Sequence, residues 1–238
     1  MISVEEALAR VLSYVDVLEA EEAPLLEAMG QVLAADITSH LNIPPLDNTA
    51  MDGYALRADD TRGASDQSPR LLRVIDTVSA GAISQQKVTP GTAIRIMTGA
   101  PLPEGADTVV QKEDTSSSAD TVQILISPKK GDNVRKSGEN VKKGDKAIQK
   151  GTILRPPHIG LLASFSRSYI FSYQIPKVAV LSTGDEVAEI DGEKDPSKIV
   201  NSNTYSISAQ IKECGAIPIM LGIARDEKND LAAKLKQG

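Results

Sequence analysis

The apolar residues of this chain change their period twice, and that change limits the fold more than any other feature. Ser3 followed by Glu6 makes a capping-box pattern, after which Val4, Leu8, Val11, Leu12 and Val15 recur at helical spacing, so a helix is expected over 3–15. A second helix is expected from Pro24 to about Ala35, carried by Leu25, Leu26, Met29, Val32 and Leu33. From Asp52 to about Lys150 the period becomes two, in short runs broken by Gly, Pro, Asp and Ser. The strands expected there are "YALRA", "LLRVIDTV", "AIRIM", "DTVVQKED", "TVQILIS", "NVRKS" and "KAIQKGTIL", with "TRGASDQSP" and "DTSSSAD" as surface loops. "PPHIGLLASFS" (156–166) returns to a helix that starts on proline.

The last sixty or so residues follow a third pattern. "KVAVLST" (177–183) and "AIPIMLGIA" (216–224) are continuous apolar runs of strand length, alternating with helical segments at 203–215 and 226–237, the latter with Asp226 in N-cap position. Strand, helix, strand, helix describes a parallel crossover. Two parallel strands do not complete a doubly wound sheet, so the chain is expected to stop inside a domain of a longer protein. The fold class expected is therefore α+β and α/β multidomain. Three segments follow from the pattern: a helical start, a β-rich stretch to about Lys150, and the beginning of an α/β domain in the last sixty or so residues.

Composition excludes several chemistries. Cys214 is the single cysteine among 238 residues and is expected in the core; His40 and His158 are the only histidines. That rules out an intrachain disulfide framework and a Cys/His zinc site, and leaves oxygen ligands and Mg²⁺ as the expected metal chemistry. The net charge of −6 argues against general nucleic-acid binding. Residues 129–150 run the other way, with eight basic against three acidic side chains. They could attract a small anion or form a solvated face, and no aromatics interleave them for base stacking. No apolar run reaches the roughly 20 residues of a membrane span, and the N-terminus is acidic and amphipathic, so a cytoplasmic protein with no membrane partner is expected.

Ligands of open α/β sheets bind beyond the carboxyl ends of the strands. That rule points to "STGDE" (182–186) and "ARDE" (224–227). Gly184 lets backbone N–H groups approach an anion, Ser182 and Thr183 add hydroxyls, and Asp185, Glu186 and Asp226 suit a hydrated Mg²⁺. The polar loop 187–200 suits a cover over substrate, and Asn201-Ser202 open a helix whose N-terminus favours phosphate. Each has an ordinary alternative: "STGDE" as a tight turn, Asp226 as a helix cap. In "IRIMTGAPLPEGADTVVQKED" (94–114), Thr98 sits beside Gly99 at a strand end, where it could meet a ligand or belong to a plain β-hairpin. "DNTAMDGYALRADD" (47–60) reads on its own as a solvated turn with spare carboxylates, Asp47 and Asp52; set in register with the other motifs, Met51 and Tyr54 are expected to be core residues that fix Asp52, with Gly53 easing a tight backbone.

Five of these stretches, "PPLDNTAMDGYALRADD", "IRIMTGAPLPEGADTVV", "VRKSGENVKKGD", "VLSTGDEV" and "LGIARDE", stand in the order seen in the MoeA family, the molybdopterin molybdenumtransferases, which the chain resembles from its first helix to Gly238. The resemblance implies molybdenum insertion from molybdate into adenylylated molybdopterin, with release of AMP and a requirement for Mg²⁺. It also implies a linker-like N-terminal domain (1–46 plus 141–175), a β-rich domain inserted in it (47–140) and the start of a molybdopterin-binding-like α/β domain (176–238). An elongated homodimer, a cleft shared between subunits and a molybdopterin adenylyltransferase acting upstream are implied as well. By resemblance, Asp52, Thr98, Glu186 and Asp226 are the catalytic positions, with Glu186 and Asp226 as metal ligands. Ser182, Thr183, Gly184, Asp185 and Asn140 are implied to contact the pterin ligand. Asn140 stands where the family commonly has Asp, which removes a charge there. Other motifs of the family are expected beyond Gly238, so this chain alone is expected to be an inactive N-terminal part. Two other readings of the same motifs are a gephyrin-like peptide-binding scaffold and a tungsten-inserting variant.

Overall fold

In chain order, α1 (Val4–Leu12) is followed by β1 (Ala20–Pro24) and β2 (Ile37–Thr38). Next come β3 (Asn48–Thr49), β4 (Gly53–Leu56), β5 (Arg70–Val78), β6 (Thr92–Ile96) and β7 (Thr108–Gln111). β8 (Thr115–Ser117), β9 (Thr121–Ile124), β10 (Val134–Arg135) and β11 (Lys146–Ile148) complete the strand-rich stretch. α2 (Pro156–Ser164), β12 (Tyr169–Tyr173), β13 (Lys177–Thr183), β14 (Val187–Ala188) and β15 (Ile199–Val200) then lead to α3 (Ser202–Glu213), β16 (Ile217–Ala224) and α4 (Lys228–Leu235). The computed structural model describes residues 2–192 and 195–238, so positions 193 and 194 of the expected covering loop lie outside the described residues. The chain divides into two compact units, Thr38–Ala147 and the remainder, which runs up to Ile37 and again from Ile148 to Gly238.

The Thr38–Ala147 unit is built on a six-stranded mixed sheet in the order β7-β4-β6-β5-β9-β8. β4 lies antiparallel to both β6 and β7, whereas β5 and β6 run parallel with an irregularity between Val74 and Asp76. "IRIMTGAPLPEGADTVV" is therefore not a hairpin, because β4 is inserted between the two strands it would join. Period-two alternation sends Tyr54, Leu56, Leu72, Ala93, Val110, Val122 and Ile124 into one core. Ala55, Val78, Val88, Ile94, Ile96, Ala100 and Val109 fill a second. Both faces of β4 are covered, so Gly53 to Leu56 are all buried. Each large aliphatic side chain so buried stabilises the unit by roughly 1.5–3 kcal/mol. The expected loop "DTSSSAD" supplies β8, which pairs with β9 at the sheet edge. "NVRKS" and "KAIQKGTIL" shrink to the short strands β10 and β11. Met51, expected in the core, is 43% exposed, while Tyr54 is buried.

In the other unit, α1 starts where Ser3 Oγ accepts from the Glu6 N–H at 3.1 Å, and α2 starts on Pro156 as its spacing predicts. The helix expected from Pro24 does not form. Ala20–Pro24 pair antiparallel with β12, and residues 25–30 are turns. The backbone there bonds across the chain instead: Leu25 N–H donates to Ser168 O, Gly30 N–H to Leu154 O, Leu33 N–H to Thr152 O and Ala34 N–H to Phe171 O. Tertiary partners for those N–H groups outweigh a modest local helix preference. The apolar spacing misleads because Leu26 and Met29 face outward while Ala28 and Leu33 are buried.

The C-terminal elements follow their pattern closely. β13 and β16 pair in parallel, with Thr183 opposite Ala224, and α3 is the crossover between them. Two details differ. Glu227, not Asp226, is the N-cap of α4, and its side chain makes no cap; Asp230 Oδ2 instead accepts the Arg225 N–H at 2.8 Å. Cys214 is exposed, because it is the C-cap residue of α3 rather than part of its buried face. No helix among the described residues is long and apolar enough to cross a membrane.

Candidate functional site

Asp52 and Thr98, far apart in sequence, meet in the β-rich unit. Asp52 immediately precedes β4 and Thr98 follows β6 by two residues; the antiparallel pairing Gly53↔Ile96 brings these strand ends together. Asp52 Oδ1 accepts from both the Thr98 N–H (2.8 Å) and the Thr98 hydroxyl (2.7 Å). Those bonds, the backbone one foremost, hold the Asp52 carboxyl below the ordinary aspartate range. Around them the two motifs are stapled together. Thr49 N–H donates to Ala100 O, Gly99 N–H to Thr49 O and Leu102 N–H to Asp47 O. The Thr49 hydroxyl donates to Met51 O at 2.6 Å and shapes the turn.

Asp47, the other carboxylate of the opening motif, has a structural role. It accepts from Lys136 Nζ and from the Ser137 N–H, both at 2.8 Å, so it ties "PPLDNTAMDGY" to "VRKSGEN". Chiefly the Lys136 bond, then the Ser137 bond, lowers its pKa. A carboxyl whose folded pKa is depressed contributes stability above its unfolded value, about 3.9, and loses that contribution as pH falls through the lower folded value. Asp47→Ala is expected to destabilise this unit by about 1–2 kcal/mol at neutral pH, since the pair is partly solvent-screened, and by progressively less as pH falls through the lowered folded pKa. Urea unfolding at neutral pH and at progressively more acidic pH checks this; a loss that does not change with pH would remove the charge-assisted tie. Asn140 lies nearby in sequence on an exposed loop, its N–H donating to Ile43 O at 3.0 Å.

The second group stands at the carboxyl ends of β13 and β16. Ser182, Thr183 and Glu186 line a cleft of about 420 Å³ together with Asn201 and Ser202. Gly184 and Asp185 line a separate cleft of about 450 Å³ with Lys198 and Arg225. Asp226 is exposed two residues past β16 and lines neither cleft. Gly184 has φ +129°, and a Cβ there would stand 2.5 Å from Glu186 Oε2, so the missing side chain makes room for that carboxylate. Ser182 Oγ donates to Asn201 Oδ1 at 2.9 Å and shares a 2.8 Å hydrogen bond with Thr204 Oγ1. This part-buried polar seam, with Asn201 and Thr204 buried, locks the "STGDE" strand end to the start of α3.

Among the described residues no three His, Cys, Asp or Glu side chains converge on a common metal position. Glu186 and Asp226 are both exposed, at the carboxyl ends of β13 and β16, and line no common cleft.

Sequence reasoning missed Arg95 and Lys112, which share with Asp52 a cleft of about 270 Å³. Strand register was the signal that could have found them: once Tyr54 is placed opposite both Arg95 and Val110, the face is determined. It also missed Asn201 as an acceptor for Ser182, though Asn at a helix start is a strong cap signal.

A curled mixed sheet in one unit and a parallel strand-helix-strand arrangement in the other, each presenting hydroxyls and carboxylates at its strand ends, define a mixed α/β protein with oxygen-rich candidate sites. The chain belongs to the MoeA family: residues 2–166 match the family model for the MoeA N-terminal region (domain I and II). A molybdopterin molybdenumtransferase of Bacillus subtilis is 38% identical over 240 residues, covering 99% of this chain and 56% of its own length. One from a Nostoc strain is 36% identical over 219 residues, covering 92% of this chain and 50% of its own. The crystal structure of the molybdopterin biosynthesis moeA protein from Pyrococcus horikoshii OT3 superposes with TM-score 0.91 at 34% identity, covering all of this chain and 63% of that one. The chain spans about half the length of the curated relatives it matches.

Proposed function

We propose that the whole protein inserts molybdenum from molybdate into adenylylated molybdopterin and releases AMP, within molybdenum cofactor biosynthesis. The observation that carries this reading is the similarity, along nearly all of this chain, to proteins named molybdopterin molybdenumtransferase. The Asp52–Thr98 pair adds support as a preorganised polar group at a strand end. Glu186 and Asp226 are the residues we assign to Mg²⁺, which when bound would offset phosphate charge. Ser182, Thr183, Gly184 and Asp185 are assigned to ligand contact, with Asn201 orienting Ser182. Asn140 is assigned to the ligand only as a neutral hydrogen-bonding group. The chemistry is electrostatic handling of oxyanions by preset donors rather than covalent catalysis. An upstream adenylyl transfer to molybdopterin must supply the substrate.

Assembly as a homodimer is part of the proposal. α1 buries none of its residues within this chain, and Val4, Leu8, Val11 and Leu12 are exposed along it. Such a face is expected to be covered by a second copy. The test is to supply the whole protein with adenylylated molybdopterin, molybdate and Mg²⁺ and to quantify AMP and molybdenum cofactor. Absence of both products would sink the insertion reading, and sedimentation as a monomer at micromolar concentration would remove the dimer.

A further inference from the structure

The cleft beside Asp52 contains more positive charge than its carboxylate can offset. Extending the observed pairing of β4 with β7, Tyr54↔Val110, by two residues sets Asp52 beside Lys112, and the Lys112 N–H indeed donates to Asp52 O at 3.0 Å. The pairing of β4 with β6 places Arg95 opposite Tyr54. Side chains two apart on a strand share a face, so Asp52, Arg95 and Lys112 stand on the same side of three adjacent strands. They rim the edge of the core formed by Tyr54, Ala93 and Val110. Asp52 Oδ1 is already occupied by both Thr98 donors. Arg95 and Lys112 both attract the Asp52 carboxylate electrostatically, but among the described residues neither bonds to it, and the one ion pair of Lys112 Nζ, with Glu113 at 4.0 Å, is exposed and weak. Ser117 and Thr115 complete the lining with hydroxyls.

We propose that Arg95 and Lys112 form a subsite for a small tetrahedral dianion, either free molybdate or the phosphoryl end of a nucleotide. Arg95 presents a planar fork that matches such an oxyanion in bidentate fashion, and Lys112 adds a point charge. The cleft, at about 270 Å³, is smaller than the roughly 300–1,000 Å³ typical of pockets for drug-sized ligands, so it suits an ion or one phosphoryl group rather than a whole nucleotide. Asp52 then works against the anion electrostatically and, by holding Thr98, sets the rim of the subsite. The proposal rests on the insertion reading only for its choice of anions.

Calorimetric titration of this 238-residue chain at low ionic strength tests it, with molybdate, AMP and adenosine as separate probes. Saturable binding of molybdate, of AMP, or of both is expected, and none of adenosine. Arg95→Gln combined with Lys112→Gln is expected to weaken binding about tenfold or more, the equivalent of one lost hydrogen bond to a charged group. Arg95→Lys is expected to lose less, and Asp52→Asn to tighten binding a few-fold by removing a like charge. Molybdate binding alone identifies the free oxyanion as occupant; AMP binding alone identifies the phosphoryl group. No saturable binding of either, or an unchanged affinity in a double variant with wild-type circular dichroism, overturns the subsite. Anion binding here without AMP release by the whole protein would keep the subsite and remove the insertion reading, and AMP release without it would do the reverse.

Discussion

Replacing Gly53 with alanine is expected to destabilise the β-rich unit by about 3 kcal/mol or more, a fall in melting temperature of roughly 10 °C. A Cβ at that position would lie 1.9 Å from Val110 O, 2.8 Å from Val110 C and 2.9 Å from Gln111 Cα. All three are backbone atoms of the neighbouring strand β7, so no side chain can rotate away to relieve the contact. β4 would have to part from β7, and β4 is the strand that joins β6 to β7 and supplies residues to both cores. Thermal unfolding followed by far-UV circular dichroism measures the effect. A melting temperature within a degree or so of wild type would show that the sheet adjusts without cost. The glycine expected merely to ease a tight turn is required by a close interstrand approach.

The second large effect is on turnover. Asp52→Ala in the whole protein is expected to lower the rate of AMP release about a hundredfold, because losing the two bonds to Thr98 frees that hydroxyl and its loop from a set position. The unfolding midpoint should stay near that of wild type, since Thr98 is exposed and water can replace the lost acceptor. Asp52→Asn separates positioning from charge: its amide oxygen can still accept from Thr98, so recovery of most of the rate assigns Asp52 to positioning, and no recovery assigns the carboxylate charge to the reaction. Because Thr98 holds the carboxyl ionised below the ordinary aspartate range, the rate should show no Asp52 protonation step near neutral pH. A full rate in Asp52→Ala would take this residue out of the site.

Much of the molecule was legible before any coordinates. α1 and α2 begin where Ser3 and Pro156 place them, and Ala224, directly ahead of the "RDE" stretch, pairs in parallel with Thr183 of "STGDE". Such features are local, or depend on a pattern in which both faces of a strand are apolar. Five motifs in order sufficed for the family, because such motifs are matched along the chain and need no contact map. What failed were inferences that required knowing a partner. Residues 25–34 have helical spacing, yet their N–H groups bond to Ser168, Leu154, Thr152 and Phe171.

The sequence by itself thus determined the family, the two short helices at capped starts and the parallel crossover of the C-terminal unit. Only the tertiary structure decided that Asp47 is a tie to Lys136 while Asp52 is the partner of Thr98, and that Arg95 and Lys112 share its cleft. Both aspartates look alike in "DNTAMDGY" because side-chain period reports only which way a residue points along its own strand. Which strand lies beside it, and in what register, depends on β4 closing between two strands that follow it by some forty and fifty residues, and that choice is made by the packing of both cores at once.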